Sequence, residues 1–352
     1  MAKRLVVIGG VAAGMSAAAK AKRTNRDLEV MVYEKGSHIS YAACGAPYWI
    51  AGDVADYHQL IIRNPEQMRK QGVHAHTHHE VTAIDPQLKT LTVRDLDDGR
   101  QFRTKFDRLV IATGARPAQM RLPGSDLPGL FALRSLATAQ AIHRFVTEQR
   151  PQRAVIVGGG YIAVEMAETF RRLGLDVTML IRSGKIMRAT LDDDTRDIVQ
   201  AELSRQGVKV IQSTPIAFEG NGRVQAVVTS DGSFPCDVVL LGIGAQPNVE
   251  LAQAGGVTLG PTGAIATDSQ MCTNLPGIYA AGDCAEAMHL VTGKPTYVPL
   301  GSTANKQGRV AGTNAGGGSV TFSGVVGTMV VRAFDLAVAT TGLTASRAQE
   351  KG

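Results

Sequence analysis

Features that would indicate a small stapled domain or a membrane protein are scarce in this chain of 352 residues. It contains only 4 cysteines, and these form no Cys-x-x-Cys pair and no spacing typical of a zinc site. No apolar run approaches the roughly 18 residues needed to span a membrane. The cysteine usage therefore excludes a disulfide-stapled mini-protein and indicates a reduced, cytoplasmic protein.

A block of like charge is also missing. The net charge is +6, but the 37 lysines and arginines are scattered among 31 acids. With 1 tryptophan and 9 phenylalanines, the chain shows no stacking pattern typical of single-stranded nucleic-acid binding. We therefore expect a small-molecule substrate, such as a nucleotide, and neither a nucleic-acid nor a membrane partner.

The N-terminus looks like a signal peptide, because Lys3-Arg4 precedes an apolar stretch over 5–19. Glycines interrupt that stretch, and Lys20 follows it directly. We interpret the segment as part of the folded protein.

Glycine is abundant, with 39 residues, and it marks a repeated plan. Residues 5–8 form a short apolar strand that ends in two glycines, followed by an alanine-rich helix and a second strand over 28–34. The same plan recurs from a strand over 154–157, through three glycines and a helix, to a strand over 175–182. Each of these stretches has the pattern of a βαβ unit.

A second repeat lies downstream of each unit. Residues 107–117 and 237–247 are both apolar strands that end in a Gly-Ala-x-Pro turn. Two βαβ units, each followed by the same strand and turn, predict an α/β protein with two Rossmann-like dinucleotide-binding domains.

Gly9, Val11 and Gly14 occupy the frame of the Gly-x-Gly-x-x-Gly fingerprint in the first unit. The helix that begins there would offer its N–H groups to a pyrophosphate. Glu34 stands 20 residues after Gly14, at the end of the second strand, where a carboxylate accepts hydrogen bonds from ribose hydroxyls. The first unit therefore predicts a dinucleotide site with an acidic ribose ligand.

The second unit keeps the frame with Gly158, Gly160 and Ala163, but its second strand ends differently. When the two units are aligned on their strand ends, Ile181 stands where Glu34 stands in the first unit. The acid that would bind a ribose is therefore missing from the second unit.

A basic cluster, formed by Arg182, Ser183 and Lys185, follows the second strand instead. A 2′-phosphate favours arginine and disfavours glutamate, so this unit indicates NADPH rather than NADH. The alternative is a basic surface turn without a role in selectivity, which leaves NADH use open.

A third motif, Tyr-Ala-Ala-Gly-Asp over 279–283, ends another short apolar strand. Together with the two glycine-rich turns and the Ala-Thr-Gly turn at 112–114, it resembles the pyridine nucleotide–disulfide oxidoreductase family, the two-dinucleotide flavoproteins related to glutathione reductase. The resemblance covers essentially residues 1–330, with the motifs in the family's order. It implies that Asp283 binds the ribityl chain of FAD.

The resemblance also implies a division of the chain and two sets of cofactor ligands. The expected domains are an FAD-binding domain in two parts (1–116 and 246–320), an NAD(P)H-binding domain (117–245) and the start of a dimerisation domain (321–352). The implied FAD ligands are Gly9, Ala12, Ala13, Gly14, Glu34, Lys35, Val81, Ala112, Thr113, Gly114, Gly282 and Asp283. The implied NADPH ligands are Gly158, Gly160, Tyr161, Ile162, Arg182, Ser183, Lys185 and Gly244.

Cys44 lies in the segment Ser-Tyr-Ala-Ala-Cys-Gly-Ala-Pro-Tyr, directly after the first unit. Family members with a redox-active cysteine pair place the second cysteine five residues away, where this chain has Ile39 and Trp49. A dithiol–disulfide shuttle within this segment is therefore excluded. A single cysteine can still cycle as a mixed disulfide or as a sulfenic acid.

This segment resembles coenzyme A disulfide reductases and their relatives, the NAD(P)H oxidases and CoA-persulfide reductases. The resemblance implies that Cys44 is the catalytic residue, resting as a mixed disulfide with CoA, and that NADPH and FAD supply electrons to reduce CoA disulfide. An NAD(P)H oxidase, or a CoA-persulfide or polysulfide reductase, using the same cysteine is the alternative. A helix expected to begin near Gly45 would lower the pKa of the thiol.

The same resemblance implies a set of CoA ligands. Lys20 and Arg23 lie three residues apart on one helix face, where they would meet the CoA phosphates. Ala43, directly before the cysteine, lacks the side-chain hydrogen bond that some relatives supply. The implied CoA-binding residues are Ser16, Lys20, Arg23, Ser40, Ala43 and Asn305.

Four histidines, His74, His76, His78 and His79, look like a metal cluster, because alternation on a strand would place the first three on one face. No thiol accompanies them, and the stretch leads into the strand at Val81. We therefore expect a solvated strand and no metal site.

Residues 324–344 look like the first strands of the family's C-terminal dimerisation domain. We expect that domain to be incomplete, which puts in question the homodimer and the full turnover expected of full-length members. A third hypothesis is therefore a truncated, inactive flavin-binding module that responds to the redox state.

Overall fold

The computed structural model describes residues 3–351. Its α-helices in this range are α1 (Ala12–Thr24), α2 (Ala46–Ile50), α3 (Pro65–Lys70), α4 (Leu136–Gln149), α5 (Tyr161–Arg172), α6 (Asp193–Arg205), α7 (Glu250–Ala254), α8 (Gly301–Ala315) and α9 (Ala345–Lys351). Two short 3-10 helices cover Ala43–Gly45 and Tyr57–Leu60. Among the described residues, no helix is both long enough and apolar enough to cross a membrane.

The strands of the same range are β1 (Arg4–Ile8), β2 (Glu29–Tyr33), β3 (Val73–His76), β4 (His79–Asp85), β5 (Thr90–Asp95), β6 (Gln101–Lys105), β7 (Arg108–Ile111), β8 (Ala115–Pro117), β9 (Leu130–Phe131), β10 (Arg153–Val157), β11 (Asp176–Leu180), β12 (Lys209–Ile211), β13 (Pro215–Glu219), β14 (Ala226–Thr229), β15 (Gly232–Pro235), β16 (Val238–Leu241), β17 (Ala245–Pro247), β18 (Ile278–Ala280), β19 (Ala287–His289), β20 (Lys294–Thr296), β21 (Met329–Ala333) and β22 (Leu336–Thr340).

The described residues form two compact units, each built from more than one stretch of chain. The first unit comprises residues up to 42, 58–116 and 246–326. The second unit comprises 43–57, 117–245 and the stretch from 327 onward.

A parallel five-stranded sheet with the order β18-β7-β1-β2-β3 forms the centre of the first unit. Its central strand is apolar at every position from Leu5 to Ile8 because both of its faces are covered. Leu5 and Val7 pack into one apolar cluster, and Val6 and Ile8 into another on the opposite face. An antiparallel sheet, β4-β5-β6, belongs to the same unit.

Helices α1 and α8 pack together with their backbones in close contact. A Cβ on Gly308 would lie 2.3 Å from the carbonyl oxygen of Ala13, and one on Gly312 would lie 2.2 Å from that of Ala17. Both contacts join residues with the same difference in number, so the two helices run parallel and keep a constant register. Glycine is required at both positions because any side chain would meet main chain.

The second unit repeats this architecture with a parallel sheet in the order β12-β11-β10-β16-β9. Its apolar core includes Val155, Val157, Leu180 and Val239, which are almost completely buried. An antiparallel sheet, β13-β14-β15, and the hairpin formed by β21 and β22 complete the unit. The predicted α/β fold with two Rossmann-like sheets is confirmed.

Candidate active site

The turn between β1 and α1 depends on its two framing glycines. Gly9 has a φ of +98°, and a Cβ there would lie 2.2 Å from the carbonyl oxygen of Ala112. A Cβ on Gly14 would lie 1.8 Å from the carbonyl oxygen of Gly9. Val11 caps α1 without a side-chain hydrogen bond, and the first turn carries no acid. The turn thus leaves the N–H groups at the start of α1 without a side-chain acceptor, which suits a phosphate.

The carboxylate of Glu34 lies beside this turn. Its Oε2 accepts a hydrogen bond from the amide of Gly10 at 2.6 Å, and its Oε1 accepts one from the amide of Gly36 at 2.7 Å. The amide of Gly9 donates to the carbonyl oxygen of Tyr33 at 2.8 Å, which brings the strand end and the turn together. The main chain therefore holds the acid at the strand end where the sequence placed it.

The Ala-Thr-Gly turn at 112–114 is held by Asn248, which sequence reasoning did not identify. Thr113 Oγ1 donates to the carbonyl oxygen of Asn248 at 2.6 Å, and Asn248 Nδ2 donates to the carbonyl oxygen of Thr113 at 2.9 Å. The amide of Asn248 also donates to the carbonyl oxygen of Gly114 at 2.9 Å. The sequence feature that could have identified Asn248 is its position directly after the second Gly-Ala-x-Pro turn.

The turn that carries Asp283 is fixed by side chains and by a close backbone contact. Gly282 has a φ of +83°, and a Cβ there would lie 2.6 Å from the Cβ of Ala13. Gln307, which is fully buried on α8, accepts from the amide of Gly282 and donates to the carbonyl oxygen of Glu286, both at 2.9 Å. Tyr297 donates its hydroxyl to the carbonyl oxygen of Asp283 at 3.0 Å. This turn therefore lies against α1 and α8.

The remaining FAD candidates lie in the same unit. Ala12 and Ala13 begin α1, and Lys35 follows Glu34 as an exposed residue. Val81 is buried on β4 in the apolar cluster that includes Ile8. The first unit thus contains every residue predicted to bind FAD.

In the second unit, the turn after β10 has the same construction. Gly158 has a φ of +111°, and a Cβ there would lie 2.3 Å from the carbonyl oxygen of Gly242. Gly160, the residue before α5, has open space on its Cβ side within 4 Å. No side chain caps the start of α5. Packing against Gly242 therefore requires glycine at position 158, the outer glycine of the frame. Gly160, the middle glycine, leaves an open space beside the start of α5.

The basic turn after β11 lies next to this helix start. Val157 pairs with Leu180 in the register that joins Ile8 to Tyr33 in the first unit, so Ile181 occupies the position of Glu34.

Arg182 is exposed after this strand end, and Ser183 accepts from the amide of Lys185 at 3.3 Å. Lys185 Nζ forms an ion pair with Asp193 at 3.2 Å, so its charge is shared. Arg188, also exposed, extends the basic turn and was missed, although it continues the spacing of Arg182 and Lys185.

Tyr161 and Ile162 open α5, and Gly244 has a φ of +113° after β16. Burial raises the pKa of the Tyr161 hydroxyl, and the positive charge of Arg347 opposes this rise. All the predicted NADPH residues therefore belong to the second unit.

Cys44 differs in environment from the other three cysteines. It is exposed and lies within the 3-10 turn Ala43–Gly45, directly before α2. Burial raises the pKa of the Cys236 thiol to about 12, and burial also raises the pKa of Cys272 and of Cys284. The helix expected near Gly45 is present, but it has only five residues and begins two positions after the cysteine.

A cluster of charges close to Cys44 in the second unit was missed by sequence reasoning. The guanidinium carbon of Arg332 lies 4.8 Å from the ring centre of Tyr48. Nη2 of the same arginine lies 2.6 Å from Glu168 Oε1 and 3.0 Å from Asp53 Oδ2. Arg172 also pairs with Asp53, and these hydrogen bonds lower the pKa of the aspartate. Asp53 and Arg332 are separated by 279 positions in the chain, so no local pattern could reveal their pairing.

Glu165 lies three residues before Glu168 on α5. Burial, followed by the negative charge of Glu168, raises the pKa of Glu165 to about 7. Burial, with Glu165 as the next cause, also raises the pKa of Tyr48. Glu165 is therefore a group that can hold or release a proton near neutral pH.

Of the residues predicted to bind CoA, the structure brings Ser16 and Asn305 together. Ser16 Oγ donates to Asn305 Oδ1 at 2.8 Å across α1 and α8. Arg23 lines a surface cleft of about 380 Å³ together with Lys22 and Arg26. Lys20 lies between Ser16 and Arg23 along α1.

Two CoA candidates lie in the chain on either side of the boundary between the units. Ser40 has a φ of +49°, and its amide donates to the carbonyl oxygen of Gly10 at 2.8 Å. Ala43 begins the 3-10 turn of Cys44 in the second unit.

The expected strand face of histidines is wrong for His78. Strand β3 ends at His76, and His78 has a φ of +54° in the turn before β4. His76 and His79 instead stack near Tyr33, with ring centres 5.5 and 6.1 Å from the tyrosine ring. Within residues 3–351, no group of three or more histidine, cysteine or acidic side chains could hold a metal ion.

The chain is similar to known proteins over nearly its whole length. The family profile described as pyridine nucleotide-disulphide oxidoreductase matches residues 3–308. The NAD(P)H sulfur oxidoreductase (CoA-dependent) of Pyrococcus abyssi is 39% identical over 99% of this chain and 78% of its own length. The crystal structure of reduced Bacillus anthracis CoADR-RHD has a TM-score of 0.96 and 32% identity over 99% of this chain. This chain spans 63% of the length of that protein.

Two further solved structures are similar to this chain and contain different bound nucleotides. The water-forming NADH oxidase of Lactobacillus brevis, bound to NADH, has a TM-score of 0.95 and 32% identity over all of this chain and 78% of its own. A water-forming NADPH oxidase engineered from it, bound to NADPH, has a TM-score of 0.94 and 33% identity over 99% of this chain and 77% of its own. The engineered protein carries a glycine-to-alanine change and, 18 residues later, a run changed to Ala-Arg-Ser, followed after 5 residues by a proline changed to arginine. From the extent of the family match and the identity to its relatives, this chain belongs to the pyridine nucleotide-disulphide oxidoreductase family.

Proposed function

We propose that this protein is an FAD- and NADPH-dependent reductase of sulfur–sulfur bonds carried by coenzyme A, with Cys44 as its nucleophile. The observation that carries the proposal is the contrast among the cysteines. Cys44 is the exposed one, whereas burial raises the thiol pKa of Cys236, Cys272 and Cys284. Because the thiolate is the attacking species, the exposed cysteine is the one suited to the reaction.

FAD is proposed to bind to the first unit. The tight turn at Gly9, the acid Glu34 and the turn at Asp283 form a set suited to an adenine dinucleotide. When bound, FAD accepts a hydride from a reduced nicotinamide and passes the electron pair to a sulfur–sulfur bond. Glu34 would accept the ribose hydroxyls while its main-chain hydrogen bonds hold its orientation.

NADPH is proposed to bind to the second unit. The open space beside Gly160 leaves room for a pyrophosphate at the start of α5. Arg182 would pair with the 2′-phosphate, because an arginine fork forms strong charge-assisted hydrogen bonds with phosphate.

The engineered NADPH oxidase supports this choice of nucleotide. Its five changed positions fall at the spacing of Ala163, Ile181-Arg182-Ser183 and Arg188 in this chain. Four of the five residues introduced there are the ones present here, and the fifth is an isoleucine in place of an alanine. In both proteins the aspartate that would repel a 2′-phosphate is absent, and arginine stands at two of these positions.

The proposed reaction at Cys44 balances as one thiol–disulfide exchange followed by one two-electron reduction. The Cys44 thiolate attacks one sulfur of CoA disulfide, which forms a Cys44–CoA mixed disulfide and releases one CoA thiolate. The electron pair from one NADPH then restores the Cys44 thiolate and releases the second CoA. Overall, CoA disulfide, NADPH and one proton give two CoA thiols and NADP⁺.

A second candidate acceptor is CoA persulfide or polysulfide. The name of the Pyrococcus abyssi relative, a CoA-dependent sulfur oxidoreductase at 39% identity, favours this acceptor. The same cysteine and the same CoA site would serve both substrates, since each carries a sulfur–sulfur bond.

The test is NADPH oxidation by the holoenzyme under anaerobic conditions with CoA disulfide or CoA persulfide as acceptor. We expect steady turnover with at least one of them, and a loss of about 1000-fold or more in Cys44→Ser, because the nucleophile is removed. Cys272→Ser is the matched control and should retain activity and flavin content. Full activity in Cys44→Ser, or NADPH consumption only with oxygen, would contradict the proposal, and the latter result would favour an oxidase.

A further inference from the structure

The proposed reaction consumes one proton for each CoA disulfide, and none of the residues assigned to it so far delivers that proton. CoA leaves the Cys44 mixed disulfide as a thiolate, which must gain a proton to become the product thiol. Delivery requires a proton donor close to Cys44 and a second group that replaces the donated proton near neutral pH. The surroundings of α2 and α5 in the second unit contain both kinds of group.

Helix α2, which follows the turn of the reactive cysteine, is fixed against two helices of the second unit. Thr169 Oγ1 on α5 donates a hydrogen bond to the carbonyl oxygen of Pro47 at 3.2 Å. The ring of Trp49 stacks on that of His143 on α4, with the ring centres 4.5 Å apart. These contacts hold α2 beside the acidic residues of α5.

Tyr48 is the third residue of α2 and lies four residues after Cys44. Burial raises the pKa of its hydroxyl, the negative charge of Glu165 adds to this rise, and the positive charge of Arg332 opposes it. The charges of Glu168 and of Cys44 raise the pKa further. The hydroxyl is therefore close to the reactive thiol and to both acids of α5, and it keeps its proton at neutral pH.

Glu165 is the group beside Tyr48 that can exchange a proton near neutral pH. It is half-buried on α5, and burial, followed by the charge of Glu168, raises its pKa to about 7. Glu168 is already paired with Arg332, at 2.6 Å. Arg332 is in turn bound to Asp53, at 3.0 Å. Glu165 is therefore the acid of this cluster that can hold a transferable proton.

We propose that Tyr48 and Glu165 form a proton relay to the sulfur released from Cys44, with Tyr48 as the proton donor. The inference rests on the proposed function and adds to it the source of the proton. As the electron pair cleaves the sulfur–sulfur bond and restores the Cys44 thiolate, the CoA thiolate takes the proton of Tyr48. The tyrosinate then takes the proton of Glu165, and the glutamate regains one from solvent.

The overall proton transfer is favourable, although tyrosine alone is a weak acid. The proton passes from a carboxyl group whose pKa is about 7 to a thiolate, and an ordinary thiol has a pKa of about 8.5. The hydroxyl of Tyr48 connects the two, so the acid itself does not have to reach the sulfur. No electrons move in the relay, and each of its three steps transfers one proton.

The test follows the reduction of a preformed Cys44 mixed disulfide by NADPH in a single anaerobic turnover of the holoenzyme. Cys44 is loaded with CoA from CoA disulfide, or with 5-thio-2-nitrobenzoate from 5,5′-dithiobis(2-nitrobenzoate). Stopped-flow absorbance separates the reduction of the flavin from the release of the thiol. The alkyl thiolate of CoA is basic and benefits from a proton donor, whereas the weakly basic aryl thiolate leaves without one.

We expect Tyr48→Phe to slow the release of CoA by about 100-fold, the size of an ordinary general-acid effect. The release of 5-thio-2-nitrobenzoate and the reduction of the flavin should keep their rates. Tyr57→Phe is the matched control, because it removes a hydroxyl from the same segment and keeps the ring that contacts Trp49. Unchanged CoA release in Tyr48→Phe would overturn the relay. Equal slowing of both thiols would also overturn it, since that result indicates a structural role.

Glu165→Gln tests the second group of the relay through its pH dependence. The rate of CoA release in the unaltered protein, divided by that in Glu165→Gln, should be about 10 at pH 6 and should approach 1 above pH 8. Glu165 holds its proton only below a pKa of about 7, and the ratio cancels any pH dependence that the two proteins share. Exposed Glu148→Gln is the control and should show no such change. A ratio that does not vary with pH would remove Glu165 from the relay and overturn it.

Two further outcomes separate the relay from the proposed function. If Tyr48→Phe and Glu165→Gln slowed only the reduction of the flavin by NADPH, these side chains would act on the nicotinamide and the relay would be overturned. The proposed function would then remain intact. If NADPH reduced the flavin of the unaltered protein but released no CoA from Cys44, the proposed function would fail and the relay with it.

Discussion

The two glycine-rich turns, one in each unit, are alike in construction and different in the residue that follows. A Cβ on Gly9 would lie 2.2 Å from a carbonyl oxygen, and one on Gly158 would lie 2.3 Å from the equivalent oxygen. The neighbouring strands pair in the same register. The first strand end carries Glu34, held by two main-chain amides, whereas the second carries the buried Ile181.

The βαβ nucleotide-binding motif has two requirements, which are close packing at the turn and recognition of the ribose at the strand end, and the two units differ in the second one only. The outer glycine allows the strand, turn and helix to pack, and that requirement is identical in both units. The residue after the second strand decides which ribose is accepted, and there the units diverge. Substitutions at the glycines test the packing requirement, and substitutions at the strand ends test the choice of ribose.

The largest effect is expected at the outer glycine of the second unit. Gly158→Ala would force a side chain into a positive φ and against the carbonyl of Gly242, so we expect a loss of several kcal/mol in stability. Gly160→Ala should keep the stability, because its φ of −81° and the open space suit alanine. It should instead weaken NADPH binding by about 10-fold or more, since the added methyl lies where the pyrophosphate would bind.

Thermal unfolding and NADPH titration of both variants check this distinction. Equal melting temperatures for Gly158→Ala and the unaltered protein would contradict the packing requirement. Normal NADPH affinity in Gly160→Ala would contradict the placement of the pyrophosphate.

A smaller effect is expected at the strand end. Arg182→Glu should shift the NADPH-to-NADH ratio of kcat/KM towards NADH by about 100-fold, because a phosphate ligand is replaced by an acid that suits a ribose. Arg144→Ala, which removes an exposed arginine on α4, is the matched control. No role in nucleotide binding is proposed for Arg144, so the ratio should change by less than about 3-fold. An unchanged ratio in Arg182→Glu would show that the basic turn has no role in selectivity.

The smallest effect concerns Glu165. Its pKa in the folded protein is raised to about 7, so its contribution to stability is complete below the unfolded pKa and is lost as the pH rises through 7. Glu165→Gln removes this loss of stability. Between pH 5 and pH 8 the free energy of unfolding of the variant should therefore rise relative to that of the unaltered protein by up to about 2.5 kcal/mol. Exposed Glu148→Gln is the control. A constant difference in melting temperature between those pH values would contradict the raised pKa.

The sequence predicted the parts of the fold and of the site that depend on local patterns of apolar residues and glycines. Apolar strands followed by glycines gave both parallel sheets, and strand ends counted from the glycines placed Ile181 opposite Glu34, as the pairing registers show. The features that the sequence did not reveal depend on contacts between residues that are far apart in the chain. Asp53, Glu168 and Arg332 meet from three separate segments of the second unit, and Asn248 supports Thr113 from 135 residues away.

His78 illustrates a different failure. Alternation along a strand predicts a side chain's face only while the strand continues, and the positive φ of His78 ends that alternation.

The central claim, that Cys44 forms a mixed disulfide with coenzyme A, is tested most directly by intact mass spectrometry. The protein is incubated anaerobically with CoA disulfide, denatured without reductant, and measured before and after addition of a thiol. We expect an adduct of CoA mass that maps to Cys44, disappears when thiol is added and is absent from Cys44→Ser. A Cys44 that stays unmodified, or carries only a single oxygen, would contradict it.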